Sequence, residues 1–162
     1  MRDVITQTAR LELVKTEVED FEHLYEKIFS VEEVVQYTFG KGFGYNDSLA
    51  FMKKNFNFRG NLGFSPIIEK RNKKLIGYGG IMNFRDGYEF GYILAKDAWG
   101  KGYATEIAIA QIEYIKKKLN SSNVYATVHP ENYASVRVLE KVGLHKIEEV
   151  ELKRGTRRVY RL

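Results

Sequence analysis

The stretch Glu89-Phe90-Gly91-Tyr92-Ile93-Leu94, followed after a short loop by Trp99-Gly100-Lys101-Gly102-Tyr103-Ala104-Thr105-Glu106, decides how this chain folds. A strand-like run ends at Leu94, a loop covers residues 95–101, and the clearest helix of the chain begins. Ala104, Ile107, Ala108, Ile112, Ile115 and Leu119 recur on one helical face, and Lys116, Lys117 and Lys118 suit the negative end of the helix dipole. The start of such a helix carries unpaired N–H groups and a partial positive charge. Glycines let an anion approach the backbone. Lys101 adds a full charge and Thr105 a hydroxyl. The spacing alone fits a phosphate cradle and a plain strain-relieving turn equally well. No Gly-Lys-Ser/Thr closes a P-loop here, and the dinucleotide fingerprint G-x-G-x-x-G is absent.

Working outward, Leu11–Val14 reads as a strand and residues 19–30 as a helix with Phe21, Leu24, Tyr25 and Ile28 at 3/4 spacing. Residues 37–45 read as a glycine-rich aromatic loop. Asn46 or Asp47 can cap a helix running to about Phe58. Residues 64–69, 75–84 and 88–94 read as a three-strand antiparallel meander, turned at 70–73 and at Arg85-Asp86-Gly87. Val124–Val128 is a buried-type strand, Tyr133–Lys141 a short helix closed by Gly143, and residues 144–152 and 156–162 a hairpin around Gly155. The order β-α-α-β-β-β-α-β-α-β-β predicts an α/β (α+β mixed) sheet. It has too few βαβ units for a doubly wound fold.

At 162 residues, 44% hydrophobic and 29% charged with two prolines, one globular domain over 1–162 is expected. With no cysteine, disulfides, thiolate-bound metal and thiol nucleophiles are excluded. His23, His129 and His145 have no metal-ligand spacing, so no metal site is expected. The first ten residues lack a signal-peptide core and no apolar run can span a bilayer, so a cytoplasmic location is expected. The net charge of +5 suggests an anionic partner: nucleic acid, ribosome, membrane surface or a phosphorylated cofactor.

The run 99–104 resembles the acetyl-CoA pyrophosphate loop of the GNAT superfamily of N-acetyltransferases, Q/R-x-x-G-x-G/A. Gly102 and Ala104 match its last two fixed positions, and Trp99 stands where Gln or Arg is usual. W-G-x-G-Y-A-T-E is similar to the RimJ/RimL-type branch. Residues 132–144 resemble that branch's N-x-x-S-x-x-V-L-x-K-x-G-F, with Leu144 replacing Phe. The resemblance implies a central, mostly antiparallel twisted sheet of about seven strands flanked by about four helices, splayed near the middle to admit CoA. It implies acetyl-CoA as cofactor, held by Ile93, Leu94, Trp99, Gly100, Lys101, Gly102, Tyr103, Ala104, Thr105 and Asn132. It also implies acetyl transfer to a primary amine, on a protein N-terminus or a small molecule. Without cysteine, transfer is expected to be direct. Dimers are common in the resembled branch.

Direct transfer needs an oxyanion donor, an acid for the leaving thiolate and a route for the amine proton. The resemblance implies a backbone amide at the end of Tyr92–Leu94 as donor. Many members carry a tyrosine acid at the position of Leu139, which cannot donate. The branch implies Ser135 instead, which also reads as a plain helix-start residue. Asn132 reads as a CoA contact, an N-cap, or both. Glu89 is the base candidate, acting through water, against its reading as a hairpin-edge residue. Glu148 is a second candidate. Freeing an α-amine near pH 7 costs about 1 kcal/mol and a lysine about 4–5 kcal/mol, so a light catalytic apparatus suits a low-pKa amine.

Tyr37, Phe39 and Phe43 are the expected acceptor-pocket walls, and residues 40–44 a mobile lid. His129 reads as structural. Lys153, Arg154, Arg157, Arg158 and Arg161 read as a solvated edge, or as contacts to RNA, ribosome or CoA phosphate. Two other classes fit the sequence. One is a non-catalytic acyl-CoA-binding or partner-binding module. The other, resting on the charge and basic tail alone, is a nucleic-acid- or ribosome-binding protein.

Overall fold

The computed structural model describes residues 2–162. Eight strands form one sheet among these residues: β1 (Val4–Gln7), β2 (Leu11–Val14), β3 (Gly63–Glu69), β4 (Lys74–Phe84), β5 (Gly87–Leu94), β6 (Val124–Val128), β7 (His145–Leu152) and β8 (Gly155–Arg161). Their order across the sheet is β1-β2-β3-β4-β5-β6-β8-β7. All neighbours are antiparallel except β5 and β6. Five α-helices accompany them: α1 (Phe21–Leu24), α2 (Glu32–Phe39), α3 (Tyr45–Asn55), α4 (Tyr103–Lys117) and α5 (Tyr133–Lys141).

Alternation along the strands sends side chains to two opposite cores. On one face Val14, Ile68, Leu75 and Tyr78 pack with Phe21, Leu24, Val35 and Met52 from the first three helices. On the other, Leu11, Ile67, Ile76 and Leu94 meet Tyr103 and Ile107 of α4, while Ile81, Phe90 and Val124 meet Ala108, Ile115 and Leu139. The result is a helix–sheet–helix sandwich.

The middle of the sheet is where the layers open. β5 and β6 pair only at Tyr88↔Val124 and Glu89↔Tyr125. Past that point β5 stays with β4 as far as Gly77↔Leu94, and β6 stays with β8 as far as Val128↔Arg158. The two strands therefore part along their C-terminal halves, the expected splay. Tyr88 N–H donates to Asn123 O on the β6 side, whereas Ala95 N–H donates to Ile76 O on the β4 side. By strand alternation the amides of Tyr92 and Leu94 share the direction of Tyr88 and face the gap, where no strand remains to pair with them.

Several local expectations change. The sheet has eight strands rather than about seven, because β1 was not visible: VITQ is short, has no clean alternation and buries neither end. The first helical stretch is broken into a 3-10 turn (Val18–Asp20), the single α turn α1 and a π turn (Tyr25–Phe29). Tyr37 and Phe39 lie on a helix, not in a loop, since α2 runs until Gly40 ends it in a left-handed conformation (φ 80°). The helix α3 is entered through Gly44, without a side-chain cap from Asn46 or Asp47, and ends at Asn55, where Phe56 turns extended to bridge Phe64.

Candidate active site

Two cavities open on the gap between β5 and β6. The first, of about 330 Å³, lies among Tyr37, Phe39, Tyr78, Glu89, Gly91, Thr127, His129, Arg154 and Arg157. The second, of about 550 Å³, runs along Leu94, Trp99, Gly100, Gly102, Tyr103, Ala104, Thr105, Tyr133 and Val138. Tyr37, Tyr92, Ile93, Asn132 and Ser135 line both, so the cavities meet there.

The larger cleft is built on the start of α4. Gly100 and Gly102 sit at φ 74° and 81°, where other residues are strained, and a side chain on Gly100 would point into open space. Gly102 is the N-cap, with no side-chain cap. The first helical bond, Glu106 N–H to Gly102 O (3.1 Å), leaves the N–H groups of Tyr103, Ala104 and Thr105 for a guest. Trp99 Nε1–H donates to Leu94 O (2.9 Å), stitching the loop to the end of β5. From behind, Arg10 donates to Glu106 Oε1 and Lys101 O (both 2.9 Å) and lies over the Tyr103 ring. Thr8 donates to the same Glu106, and Tyr103 OH donates to the buried Glu69. A preorganised, uncapped helix end of this kind fits a pyrophosphate. Of the ten expected cofactor residues, nine line the cleft and Lys101 does not: it is exposed, and its carbonyl serves the Arg10 clamp. No Lys or Arg among the described residues lines this cleft, so its capacity for anions is one of backbone N–H groups.

The smaller cavity owes its floor to alternation. Glu89, Gly91 and Ile93 share one face of β5. A side chain on Gly91 would meet nothing within 4 Å, so that glycine leaves the floor open between the other two. Behind it Gln111, fully buried on α4, donates from Nε2 to Gly91 O (3.0 Å) and holds the strand in place. Glu89 is no hairpin-edge residue: it faces the chamber and accepts from Thr127 Oγ1 at 3.4 Å. Burial pushes its carboxyl above the usual carboxylate range, while the Thr127 hydroxyl and the Arg154 charge pull the other way. Glu148 lines neither cavity; it pairs with Arg85 on the edge strand.

At the junction, Asn132 Oδ1 accepts from Ser135 N–H (3.3 Å), the N-cap of α5. Ser135 Oγ in turn accepts from Tyr92 OH at 3.4 Å. Burial raises the Tyr92 phenol above its ordinary value, which keeps its proton in place. Two hydroxyls thus stand where the cavities meet. Tyr37 and Phe39 line the smaller chamber, but Phe43 lines neither. Its ring stacks on Phe39 with centroids 4.0 Å apart, and its N–H donates to Phe29 O (2.7 Å). Phe43 thus anchors the 40–44 segment to the first helices, while Gly40, Lys41 and Gly44 stay exposed. His129 packs against Tyr37 and accepts from Glu131 N–H through Nδ1, which places the neutral ring's proton on Nε2.

Sequence reasoning missed Tyr92 as a side chain, along with Gly91 and Gln111, and it gave Arg154 and Arg157 to a solvated edge or to contacts with RNA, ribosome or CoA phosphate, not to the smaller cavity. A signal existed for Tyr92, whose alternation with Ile93 turns it to the opposite face. Nothing in the sequence placed the arginines there, because only the long-range pairing of β8 with β6 brings them to the chamber.

The Acetyltransferase (GNAT) domain profile matches residues 10–145. Over 141 residues the chain is 33% identical to an uncharacterized N-acetyltransferase, YnaD, of Bacillus subtilis (strain 168), covering 86% of this chain and 81% of that protein. The crystal structure of a GNAT-family acetyltransferase from Bacillus anthracis superposes with TM-score 0.85 at 26% identity, covering 97% and 96% of the two chains. RimL, a ribosomal L7/L12 alpha-N-protein acetyltransferase solved with coenzyme A, superposes with TM-score 0.81 over 99% and 97%. At 13% identity that last likeness is one of fold alone. The splayed sheet, the uncapped helix behind a glycine loop and the profile match agree: the chain belongs to the GNAT acetyltransferase superfamily.

Proposed function

We propose that this protein is an acetyl-CoA-dependent N-acetyltransferase of the RimJ/RimL-like branch, moving acetyl directly onto a primary amine of a protein N-terminus or a small molecule. The observation that carries the reading is the meeting of two cavities at Tyr92 and Ser135, in the gap where β5 and β6 part. One cavity offers a helix N-terminus and the other a partly buried carboxylate. A donor and an acceptor can therefore occupy one complex and touch at a single point, which is what direct transfer needs. The run Trp99-Gly100-Lys101-Gly102-Tyr103-Ala104-Thr105-Glu106 and Ser135 support the branch.

Acetyl-CoA supplies the activated thioester. The chain's own groups divide the remaining work. The N–H groups of Tyr103, Ala104 and Thr105 receive the pyrophosphate, and Trp99 fixes the loop that presents them. The gap-facing amides of Tyr92 and Leu94 meet the negative charge that develops on the carbonyl oxygen; a donor of this kind is worth roughly 2.7–4 kcal/mol. Glu89 takes the amine proton through water. As the new N–C bond forms and the C–S bond breaks, Ser135 gives a proton to sulfur, and Tyr92 can replace it. Leu139, Phe39, Phe64 and Tyr78 give the smaller chamber its apolar walls.

Thiol release from acetyl-CoA across a broad amine panel, with the product amine read by mass spectrometry, tests this. Free CoA and acetylated amine are expected in equal amounts. CoA binding with no amine acetylated would support the non-catalytic binding module instead. Polynucleotide binding with a steep salt slope and no CoA binding would support the third class.

A further inference from the structure

The acceptor chamber contains positive charge that makes no close ion pair among the described residues. Among the described residues, Arg154 and Arg157 are the only Lys or Arg side chains lining either cavity, and both face the acceptor side. The cleft assigned to the phosphate-bearing CoA has none, so these charges do not serve it.

Arg157 is 4% exposed. Its donors reach backbone oxygens only: Thr156 O at 2.8 Å, Tyr37 O at 3.1 Å and Arg154 O at 3.4 Å. Carbonyl dipoles are not counter-charges, and a buried cation is ordinarily paired. The same hairpin shows the contrast. Arg158 pairs with Glu149. Neither Arg154 nor Arg157 has a carboxylate within 4.0 Å among the described residues. Three of the five guanidinium N–H groups of Arg157 are used, leaving Nε–H and one N–H of Nη2. A planar fork with spare donors is suited to a carboxylate or phosphate. Arg154 stands on the exposed turn of the same hairpin, at the mouth of the chamber.

Glu89 supplies the complementary sign in the same cavity, above the open floor at Gly91. We infer that the acceptor carries an anionic group beside its amine, received by Arg154 and Arg157 while the amine faces Glu89. This rests on the N-acetyl transfer proposed above. A second ammonium in place of the anion would meet like charge, so polyamines are poor acceptors. The anion can be the carboxylate of a free amino acid, an acidic side chain next to a peptide N-terminus, or a phosphate on a small amine.

The test uses matched pairs at saturating acetyl-CoA: an α-amino acid and its carboxamide, a short peptide with Asp or Asn second, and phosphoethanolamine and ethanolamine. In at least one pair the anionic member is expected to win by about tenfold or more in kcat/KM, mainly through KM. Which pair shows it identifies the source. Arg157→Gln loses its tie to Tyr37 and risks folding, so Arg154→Gln, on an exposed turn, carries the mutational arm. Its preference ratio should shrink toward one. Equal use of both members in all pairs, preference for neutral or polyamine acceptors, or a ratio unchanged in Arg154→Gln overturns the inference and leaves the transferase reading standing. If no amine accepts acetyl, the transferase reading itself falls and this one with it.

Discussion

Replacing Glu89 with Gln keeps the shape of the side chain and its contact with Thr127 but removes the base. The rate loss follows from the acceptor's own pKa. At pH 7 an α-amine of pKa about 7.7–8.0 must spend about 1 kcal/mol to reach its free form, so the base is worth roughly tenfold. A lysine-like amine must spend about 4–5 kcal/mol, and the loss approaches about 10³-fold. Raising the pH to about 9 should erase the deficit for the α-amine and only narrow it for the lysine-like amine.

Stability should move the opposite way. Because burial raises the carboxyl of Glu89 in the folded protein, the native state holds this proton longer than the unfolded chain does. Stability contributed at this site is full below the unfolded carboxylate range near pH 4.3. It falls as pH rises through the elevated folded pKa. Gln has nothing to ionise, so the variant should melt higher than the parent at pH 8 and at about the same temperature at pH 3. The assay is kcat/KM against pH, paired with thermal melts at the two pH values. An unchanged pH–rate profile would remove Glu89 as base. A lower melting temperature for the variant at pH 8 would refute the burial argument behind it.

Gly100→Glu, whose side chain would enter open space at the cleft, should abolish CoA binding by calorimetry while Gly100→Ala, which bears the same backbone strain of roughly 1–2 kcal/mol, keeps part of it; intact affinity in the Glu variant would sink the loop assignment. Ser135→Ala should lower kcat by about 10²-fold or more with CoA affinity retained, because its N–H still caps on Asn132. Tyr92→Phe should cost about tenfold, and the double variant no more than Ser135→Ala alone, as a shared proton path requires; additive losses would separate the two hydroxyls. Gly91→Val should fill the floor of the acceptor chamber and cut kcat/KM for the amine by about 10²-fold, leaving CoA affinity alone; an acceptor KM that does not change would place the amine elsewhere.

The elements that were legible in the sequence are those with a continuous apolar run between turn signals or a long helical spacing. The meander β3–β5, the long α4, β6 and α5 were read within a residue or two of their observed ends, because the strands are buried on both faces and bounded by turns, and 3/4 spacing runs through α4. The glycine loop and the Asn132–Ser135 block were legible through their resemblance to GNAT motifs, at positions where a positive φ and an N-cap restrict residue type. β1 was not, since four residues at a sheet edge bury too little to show a pattern. Tyr37 and Phe39 were assigned to a loop because Gly40, Gly42 and Gly44 outweighed the short apolar run before them. The acceptor chamber was the least legible part. It depends on where the β7–β8 hairpin returns, and a long-range pairing such as Val128↔Arg158 leaves no local trace.

The most direct test of two substrates meeting at Ser135 is an initial-rate study varying acetyl-CoA and the best amine together. Intersecting lines in double-reciprocal plots, with no acetylated enzyme seen by intact-mass spectrometry, are expected of a single ternary complex in a chain without cysteine. Parallel lines with a stable acetyl-enzyme would contradict direct transfer.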